Sequence, residues 1–148
     1  RQMCIRDSAY YGNKVRPHKG TDFAAPTGTP IMATADGRVE KSAYTRANGY
    51  YVKIKHNDTY STQYLHMQKN GRVKKGQYVK QGDVIGRIGM TGNTSGPHVC
   101  YRFWKNNRQV DPFKQKLPAG KPVPSELKVN FEIYKVPLEE TLNQINFE

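Results

Sequence analysis

Short runs of β-branched, aromatic and other apolar residues alternate with glycine-containing turns along most of the chain. Six runs of five to seven residues follow this pattern, at 29–34, 37–41, 50–56, 61–66, 83–88 and 98–104. A further, very short strand is expected around Val79, because Gly76 and Gly82 place a turn on either side of it. This part of the chain shows no long helical period, and no repeat of about 20 to 50 residues is evident. The pattern therefore predicts an all-β body.

The C-terminal part of the chain has a different pattern. Residues 114–124 are rich in proline and are expected to form a linker after a domain at 9–113, while residues 1–8 show no clear period and are set apart. Residues 125–148 are predicted to form a helical tail, since Leu127, Phe131 and Tyr134 recur at helical spacing, although positions 127, 129, 131 and 133 also alternate as in a strand. Pro137 could open a second short helix.

Targeting and membrane segments are not visible in the sequence. No unbroken apolar run exceeds three residues, whereas a membrane-spanning helix needs about twenty. A membrane span is therefore not expected. The chain begins with Arg1 and lacks the charged, apolar and small-residue succession of a signal peptide, which indicates a piece of a longer precursor whose targeting signal lies upstream.

The excess basic charge is confined to the predicted β body. The net charge is +12, and residues 1–112 hold 19 basic and 7 acidic side chains, whereas 113–148 hold five of each. Such an excess is typical of a protein with an anionic partner, which could be nucleic acid, acidic lipid or an acidic polysaccharide or peptide matrix, or of a generally basic solvated surface. No aromatic and basic RNA motif or recognition helix is present, so nucleic acid is not the expected partner.

Two polar sets carry candidate chemistry, and the first is the pair His18 and Asp22. They form an H-x-x-x-D spacing in a segment that Pro17 and Gly20 predict to be an extended loop. Imidazole and carboxylate groups are both good zinc ligands. A single pair at this spacing is nevertheless commonly incidental.

The second set is the alternating row His98, Cys100 and Arg102 within HVCYRFW. In a strand these three side chains share one face, and the apolar residues between them face the core: Val99, Tyr101 and Phe103. The alternative is a simply solvated face. Because unpaired cysteines are usually buried, a thiol in an exposed polar row is uncommon, and this favours a functional site.

The remaining histidines and the cysteine count are less informative. His66 ends the predicted strand at 61–66, aligned with Tyr64 on one face, and an isolated histidine at a strand end is more often structural or exposed. His56 precedes a turn, and no role is assigned to it. Cys4 and Cys100 could form at most one disulfide, so the chain is not a disulfide-stabilised scaffold.

Five segments form an ordered string of motifs from about Arg16 to Pro112: HKGTDFAAPTGTPIMATADGRV, GYYVKIKH, YLHM, GQYVKQGDVIGRIG and TGNTSGPHVCYRFW. This string resembles the lysostaphin or LytM type of zinc endopeptidase, bacterial enzymes that cut peptide cross-links in peptidoglycan. The resemblance implies an antiparallel β-sheet body crossed by a groove. It also implies peptidoglycan stem peptides as the partner and a location in the bacterial cell envelope, outside the cytoplasm.

The resemblance further implies a set of site residues and one Zn²⁺ per domain. His18 and Asp22 match the family's first zinc-binding motif, and Cys100 occupies the position of the third zinc ligand. His98 matches the first histidine of a later H-x-H, which is a catalytic position. His66 matches a histidine that assists catalysis.

The sequence departs from the family pattern at Cys100, where the family usually has histidine, and at Arg102, where the common form has an acidic residue. A thiolate is a competent zinc ligand, so zinc binding survives in principle. Two histidines and one aspartate leave zinc with one positive charge, whereas His, Asp and thiolate leave none, so we expect a weaker Lewis acid. Arg102 is expected to support the site by restoring positive potential and holding the thiolate form.

Two functions follow from the resemblance. The first is a zinc endopeptidase that hydrolyses peptide cross-links of bacterial peptidoglycan. The alternative is a catalytically degenerate domain that binds peptidoglycan or regulates a cell-wall amidase. Four of the five family positions are retained and the fifth is another zinc ligand, which favours the enzyme. A disulfide between Cys4 and Cys100 is conceivable and would remove the thiolate ligand.

Overall fold

The computed structural model describes residues 20–117 and 124–143. The predicted N-terminal segment 1–8, the candidate ligand His18 and positions 118–123 of the predicted linker lie outside the described residues. The chain divides into two compact units between Gln115 and Lys116. The domain boundaries given by the sequence pattern stay predictions.

The described part of the first unit consists of antiparallel β-strands. Seven strands form one sheet in the order β1-β8-β5-β4-β3-β6, with β9 paired to β8, and β2 and β7 form a two-stranded sheet. The all-β prediction is confirmed. The bounds are β1 Thr21–Ala24, β2 Pro30–Met32, β3 Gly37–Thr45, β4 Gly49–Lys55, β5 Tyr60–Met67, β6 Tyr78–Val79, β7 Val84–Arg87, β8 His98–Lys105 and β9 Arg108–Val110.

The sequence pattern does not predict β1 or β9. Residues around Asp22 are expected to form a loop, but β1 pairs along its whole length with β8, which satisfies the backbone hydrogen-bonding groups on the side of β1 that faces β8. β9 pairs with the end of β8 through a tight turn in which Asn106 and Asn107 both have positive φ. Both strands therefore depend on pairing with β8. For β9 this partner is adjacent in sequence, whereas for β1 it is distant.

The main core lies between the two sheets. Val99 and Phe103 are buried and Tyr101 packs against the core, so the predicted inward face of β8 is confirmed. Buried apolar residues from both sheets form one cluster that includes Ile31, Val39, Val52, Ile54, Tyr64, Met67, Ile85 and Val99. A smaller buried cluster of Tyr51, Leu65 and Cys100 lies on the opposite face of the large sheet. We call this second face the site face.

The described residues of the second unit form one α-helix, which confirms the helical prediction for the C-terminal tail as far as residue 143. A 3-10 turn at Ser125–Leu127 leads into α1, Lys128–Asn143. Pro137 lies inside this helix and does not open a second one, because the fixed φ of proline is compatible with a helix even though its missing N–H weakens it. No helix in the described ranges is long and apolar enough to cross a membrane.

Candidate active site

Strand pairing places Asp22 directly opposite Cys100. The two residues are register partners in the antiparallel pair of β1 and β8, and directly opposed side chains project from the same face of a sheet. Cys100 is 1% exposed, and Asp22 Oδ1 is buried. A carboxylate and a thiol therefore lie side by side on the site face, and zinc accepts both as ligands.

Gly20 allows the start of β1 to approach β8 closely. A Cβ atom at this position would lie 2.6 Å from Cys100 Sγ and 3.0 Å from the carbonyl oxygen of Tyr101. Both distances are shorter than normal packing contacts between non-bonded heavy atoms. The glycine of the HKGTD segment is thus required by the space beside the thiol.

His98 lies beside Asp22 and is oriented by the turn that precedes β8. Its Nδ1 is 2.9 Å from the Gly96 carbonyl oxygen and 3.2 Å from Thr94 Oγ1. Because a carbonyl oxygen only accepts hydrogen bonds, the neutral ring carries its proton on Nδ1 and leaves a lone pair on Nε2. That Nε2 lies 3.7 Å from Asp22 Oδ1.

His66 lies on the site face because its backbone breaks the alternation of β5. Tyr64 pairs with Tyr101 on the core side, and strict alternation would place His66 there as well. Instead His66 has φ of 61°, and its ring lies 4.8 Å from that of His98, centroid to centroid. The predicted alignment of His66 with Tyr64 is therefore wrong.

The environment of His66 favours its neutral form. Burial lowers the pKa of His66 below the ordinary value of 6.5, and the nearby His98 and Arg102 act in the same direction, against the raising effects of the Thr91 carbonyl and Asp22. Nδ1 lies 2.8 Å from the Thr91 carbonyl oxygen, so the neutral ring donates from Nδ1. The Nε2 lone pair is then available to accept a proton.

Thr91 holds this arrangement in place. Its Oγ1 donates to the Met67 carbonyl at 2.7 Å and accepts from the Tyr50 N–H at 2.9 Å. Gly49, with φ of 65°, leaves no room for a Cβ against the Thr91 backbone. The loop after β7 is thereby fixed against β4 and β5, which sets the position of the carbonyl that orients His66.

Arg102 continues the site face two residues beyond Cys100. It is the register partner of Gln63 on β5, and its aliphatic stem lies near Gly20. Its Nε is buried and has no hydrogen-bond partner in the part of the chain that the structure describes. A cationic group thus lies next to the pair formed by Asp22 and Cys100.

The structure brings together four residues that the sequence indicates, namely Asp22, His66, His98 and Cys100. The fifth, His18, lies outside the described residues, within which no three His, Cys, Asp or Glu side chains form a group able to hold a metal ion. The chemistry of the donors still fits zinc, because a buried carboxylate oxygen and a buried thiol adjoin.

Other residues that shape the site are not apparent from the sequence. Gly20, Thr91 and the carbonyl of Gly96 act through close approach or backbone hydrogen bonds. The small residues in HKGTD and TGNTSGPH are the only sequence signal for them. His56 lies elsewhere, with its ring nitrogens within hydrogen-bond distance of the Asp36 carbonyl and Thr62 Oγ1.

Comparison with known proteins reveals relatives of this β unit. The peptidoglycan DD-endopeptidase ShyC of Vibrio cholerae is 46% identical over 118 residues, which cover 80% of this chain and 27% of that protein. This chain thus spans about a quarter of the length of that curated relative.

Two solved structures share the fold. A zinc-containing peptidase from Vibrio cholerae superposes with a TM-score of 0.68 at 43% identity, covering 77% of this chain and 35% of that one. The catalytic domain of lysostaphin from Staphylococcus simulans gives a TM-score of 0.62 at 30% identity, covering 69% and 80%.

The matched region coincides with the unit that carries the site. The family model described as Peptidase family M23 matches residues 16–112, about two thirds of the chain. This range includes every strand described above and all the site residues discussed. The chain therefore belongs to peptidase family M23.

Proposed function

We propose that this chain is a zinc-dependent endopeptidase domain that hydrolyses peptide cross-links of bacterial peptidoglycan. The observation that carries the proposal is the placement of Asp22 and Cys100 beside two imidazole rings, His66 and His98, on one face of the sheet. The relative ShyC is named a peptidoglycan DD-endopeptidase, which supports the substrate class.

His18, Asp22 and Cys100 would hold the metal. Asp22 and Cys100 are register partners, and His18 precedes Asp22 by four residues on the segment that leads into β1. When bound, zinc supplies Lewis-acid polarisation of the scissile carbonyl. The similar Vibrio cholerae structure is that of a zinc-containing peptidase, which supports the choice of this metal.

His66 acts as the general base in this proposal. Its Nδ1 is engaged by the Thr91 carbonyl, so Nε2 can take the proton of the attacking water while the water oxygen bonds to the carbonyl carbon. The bond between carbon and nitrogen then breaks. The amine leaves with the proton that His66 took from the water, which returns His66 to its neutral form.

His98 stabilises the charge that develops during the reaction. Its Nδ1 is engaged by Gly96 and Thr94, and its Nε2 lies 3.7 Å from Asp22, in a ring whose centre is 4.8 Å from that of His66. When protonated, Nε2–H can donate to the developing oxyanion or to the leaving amine. The two histidines thus divide the roles of base and electrostatic stabiliser.

Arg102 supports the site electrostatically. It lies on the same face as Cys100, two residues along β8, and a neighbouring cation favours the thiolate form of a cysteine. Replacement of the usual histidine ligand by a thiolate removes one positive charge from the site. The guanidinium of Arg102 would return part of that positive potential.

The charge of the β unit fits an anionic cell-wall matrix with free carboxylates. The net charge of +12 resides in residues 1–112, and among the described residues of this unit only two ion pairs join a lysine to a carboxylate, Lys53 with Glu40 and Lys55 with Asp58. Most of the lysines in the described part of this unit therefore remain available to the solvent or to a polyanion. We accordingly propose peptidoglycan stem peptides as substrate and the cell envelope as location.

The proposal is tested by digestion of purified peptidoglycan with the full chain under zinc-replete, reducing conditions. We expect soluble muropeptides with new amino termini, and their loss in His66→Gln and His98→Gln variants whose zinc content is unchanged. Binding to peptidoglycan without any cleavage would instead support the degenerate domain that binds the cell wall or regulates an amidase. The observation that favours a degenerate domain is the presence of Cys100 at a position where the family usually has histidine.

A further inference from the structure

A polar row crosses the site face next to the candidate metal ligands. Arg102 on β8 is the register partner of Gln63 on β5, which in turn is the register partner of Lys53 on β4. Register partners project from the same face of a sheet, so the three side chains form a line across three strands. Arg102 is two residues from Cys100 along β8 and is the next side chain on the same face.

The two cations of this row differ in their partners. Lys53 Nζ lies 2.7 Å from Glu40 and 5.5 Å from the centre of the Trp104 ring, so its charge is balanced within the protein. Arg102 has no carboxylate partner among the described residues, and its buried Nε has no hydrogen-bond acceptor there. Arg102 is therefore the cation of the row whose charge no described carboxylate balances.

A guanidinium group in this state is suited to one class of ligand. Its planar donors match the two oxygens of a carboxylate, and charge-assisted bonds of this kind are stronger than neutral ones. Gln63, only 7% exposed, offers an amide donor from the adjacent strand.

We propose that Arg102 and Gln63 form a subsite for a carboxylate of the peptide substrate, close to the cleaved bond. The proposal rests on the function proposed above and specifies the substrate. Arg102 lies two residues from Cys100, about 7 Å along the strand. One residue of an extended peptide spans about 3.4 Å, so the recognised carboxylate belongs within about two residues of the scissile bond.

The subsite is tested with two synthetic stem-peptide dimers that differ only at the carboxyl group nearest the cleaved bond, which is free in one and amidated in the other. We expect the parent chain to cleave the acid with a kcat/KM about tenfold or more above that of the amide. Arg102→Gln should slow both dimers, because the electrostatic support of the site is lost, but it should slow the acid more and so remove the preference. Arg102→Lys should retain part of the preference. Lys53→Gln is the matched control, because it removes a cation of the same row that is already paired with Glu40. This variant should leave the preference intact.

Two results would overturn the subsite. One is an equal loss of activity on both dimers in Arg102→Gln, accompanied by lower zinc content, which would assign Arg102 to the metal site alone. The other is loss of the preference in Lys53→Gln but not in Arg102→Gln.

Calorimetric titration of each dimer separates this inference from the proposed function. If neither dimer is cleaved, the endopeptidase proposal fails. The subsite would still be supported if the parent chain binds the acid dimer more tightly than the amide dimer while Arg102→Gln binds the two dimers equally. Equal binding of both dimers by the parent would reject it.

Discussion

His66 and His98 face each other with ring centroids 4.8 Å apart, although they come from strands whose alternation alone would not bring them together. The positive φ of His66 turns its ring to the site face, and the Thr91 carbonyl fixes the ring there through Nδ1. Because His98 is fixed in the same way by Gly96, each ring is held through Nδ1 by a backbone carbonyl, which leaves Nε2 as its second nitrogen for chemistry. This shared orientation makes a division of roles between the two histidines physically reasonable.

The pKa of His66 gives a pH dependence for the reaction. Burial lowers this pKa below 6.5, and a general base must be unprotonated, so kcat/KM should fall only when the pH drops through a value below 6.5. The expected profile is flat from pH 7.5 to pH 6.5 and declines below that. A pH–rate series on the zinc-loaded chain measures it. A decline of kcat/KM centred above pH 6.5 would contradict the role of His66. In the His66→Gln control, the residual kcat/KM should not show this decline.

Gly20→Ala tests the close approach of β1 to β8. The new Cβ would lie 2.6 Å from Cys100 Sγ, so the strands must separate, and we expect a loss of stability of about 1–3 kcal/mol together with weaker zinc binding. Urea unfolding and zinc titration measure the two effects.

A double-mutant cycle identifies the clash as the cause of that loss. In a Cys100→Ala background the sulfur is absent, and Gly20→Ala should cost less stability than in the parent chain. Equal costs in the two backgrounds would show that the Cys100 sulfur is not the group displaced.

Thr91→Val tests the anchor of the His66 loop. Valine has the shape of threonine but cannot accept from the Tyr50 N–H or donate to the Met67 carbonyl. Leaving these partly buried groups unpaired should cost about 1–3 kcal/mol. The carbonyl that orients His66 should also shift, which lowers kcat more than it raises KM. Thr91→Ser keeps the hydroxyl and should remain close to the parent in both respects.

His56 makes the stability of the β unit depend on pH. Burial lowers the pKa of His56 below 6.5, against the raising effect of its hydrogen bond to the Asp36 carbonyl. Below pH 6.5 His56 is therefore protonated in the unfolded chain more readily than in the folded chain. The free energy of unfolding decreases as the pH falls from 6.5 through the pKa of His56 in the folded chain. Urea unfolding at pH 7.5 and 5.5 should show this loss, and it should be smaller in His56→Gln. An identical pH dependence in the two proteins would rule out His56 as its source.

Local pattern predicts the strands of this fold well because their inward and outward residues alternate. The predicted inward face of β8 is confirmed by the burial of Val99 and Phe103. The helical tail is confirmed as well, but as a single helix through Pro137. These features depend on short-range periodicity, which the sequence displays directly.

Other features depend on partners that are distant in sequence. β1 is a strand because it pairs with β8, nearly eighty residues later along the chain. The orientation of His66 depends on a left-handed backbone that a histidine adopts only when its surroundings impose it. Spacing alone does not reveal either feature, and the same holds for the contact of Gly20 with the thiol.

Metal content tests the central claim most directly, because it asks whether Cys100 and Asp22 hold zinc. Elemental analysis of the purified full chain under reducing conditions should give close to one zinc per chain. Cys100→His should retain zinc, since imidazole is also a zinc ligand, whereas Cys100→Ser and Asp22→Asn should lose most of it. A parent chain without zinc, or a Cys100→Ser variant with undiminished zinc content, would contradict the account.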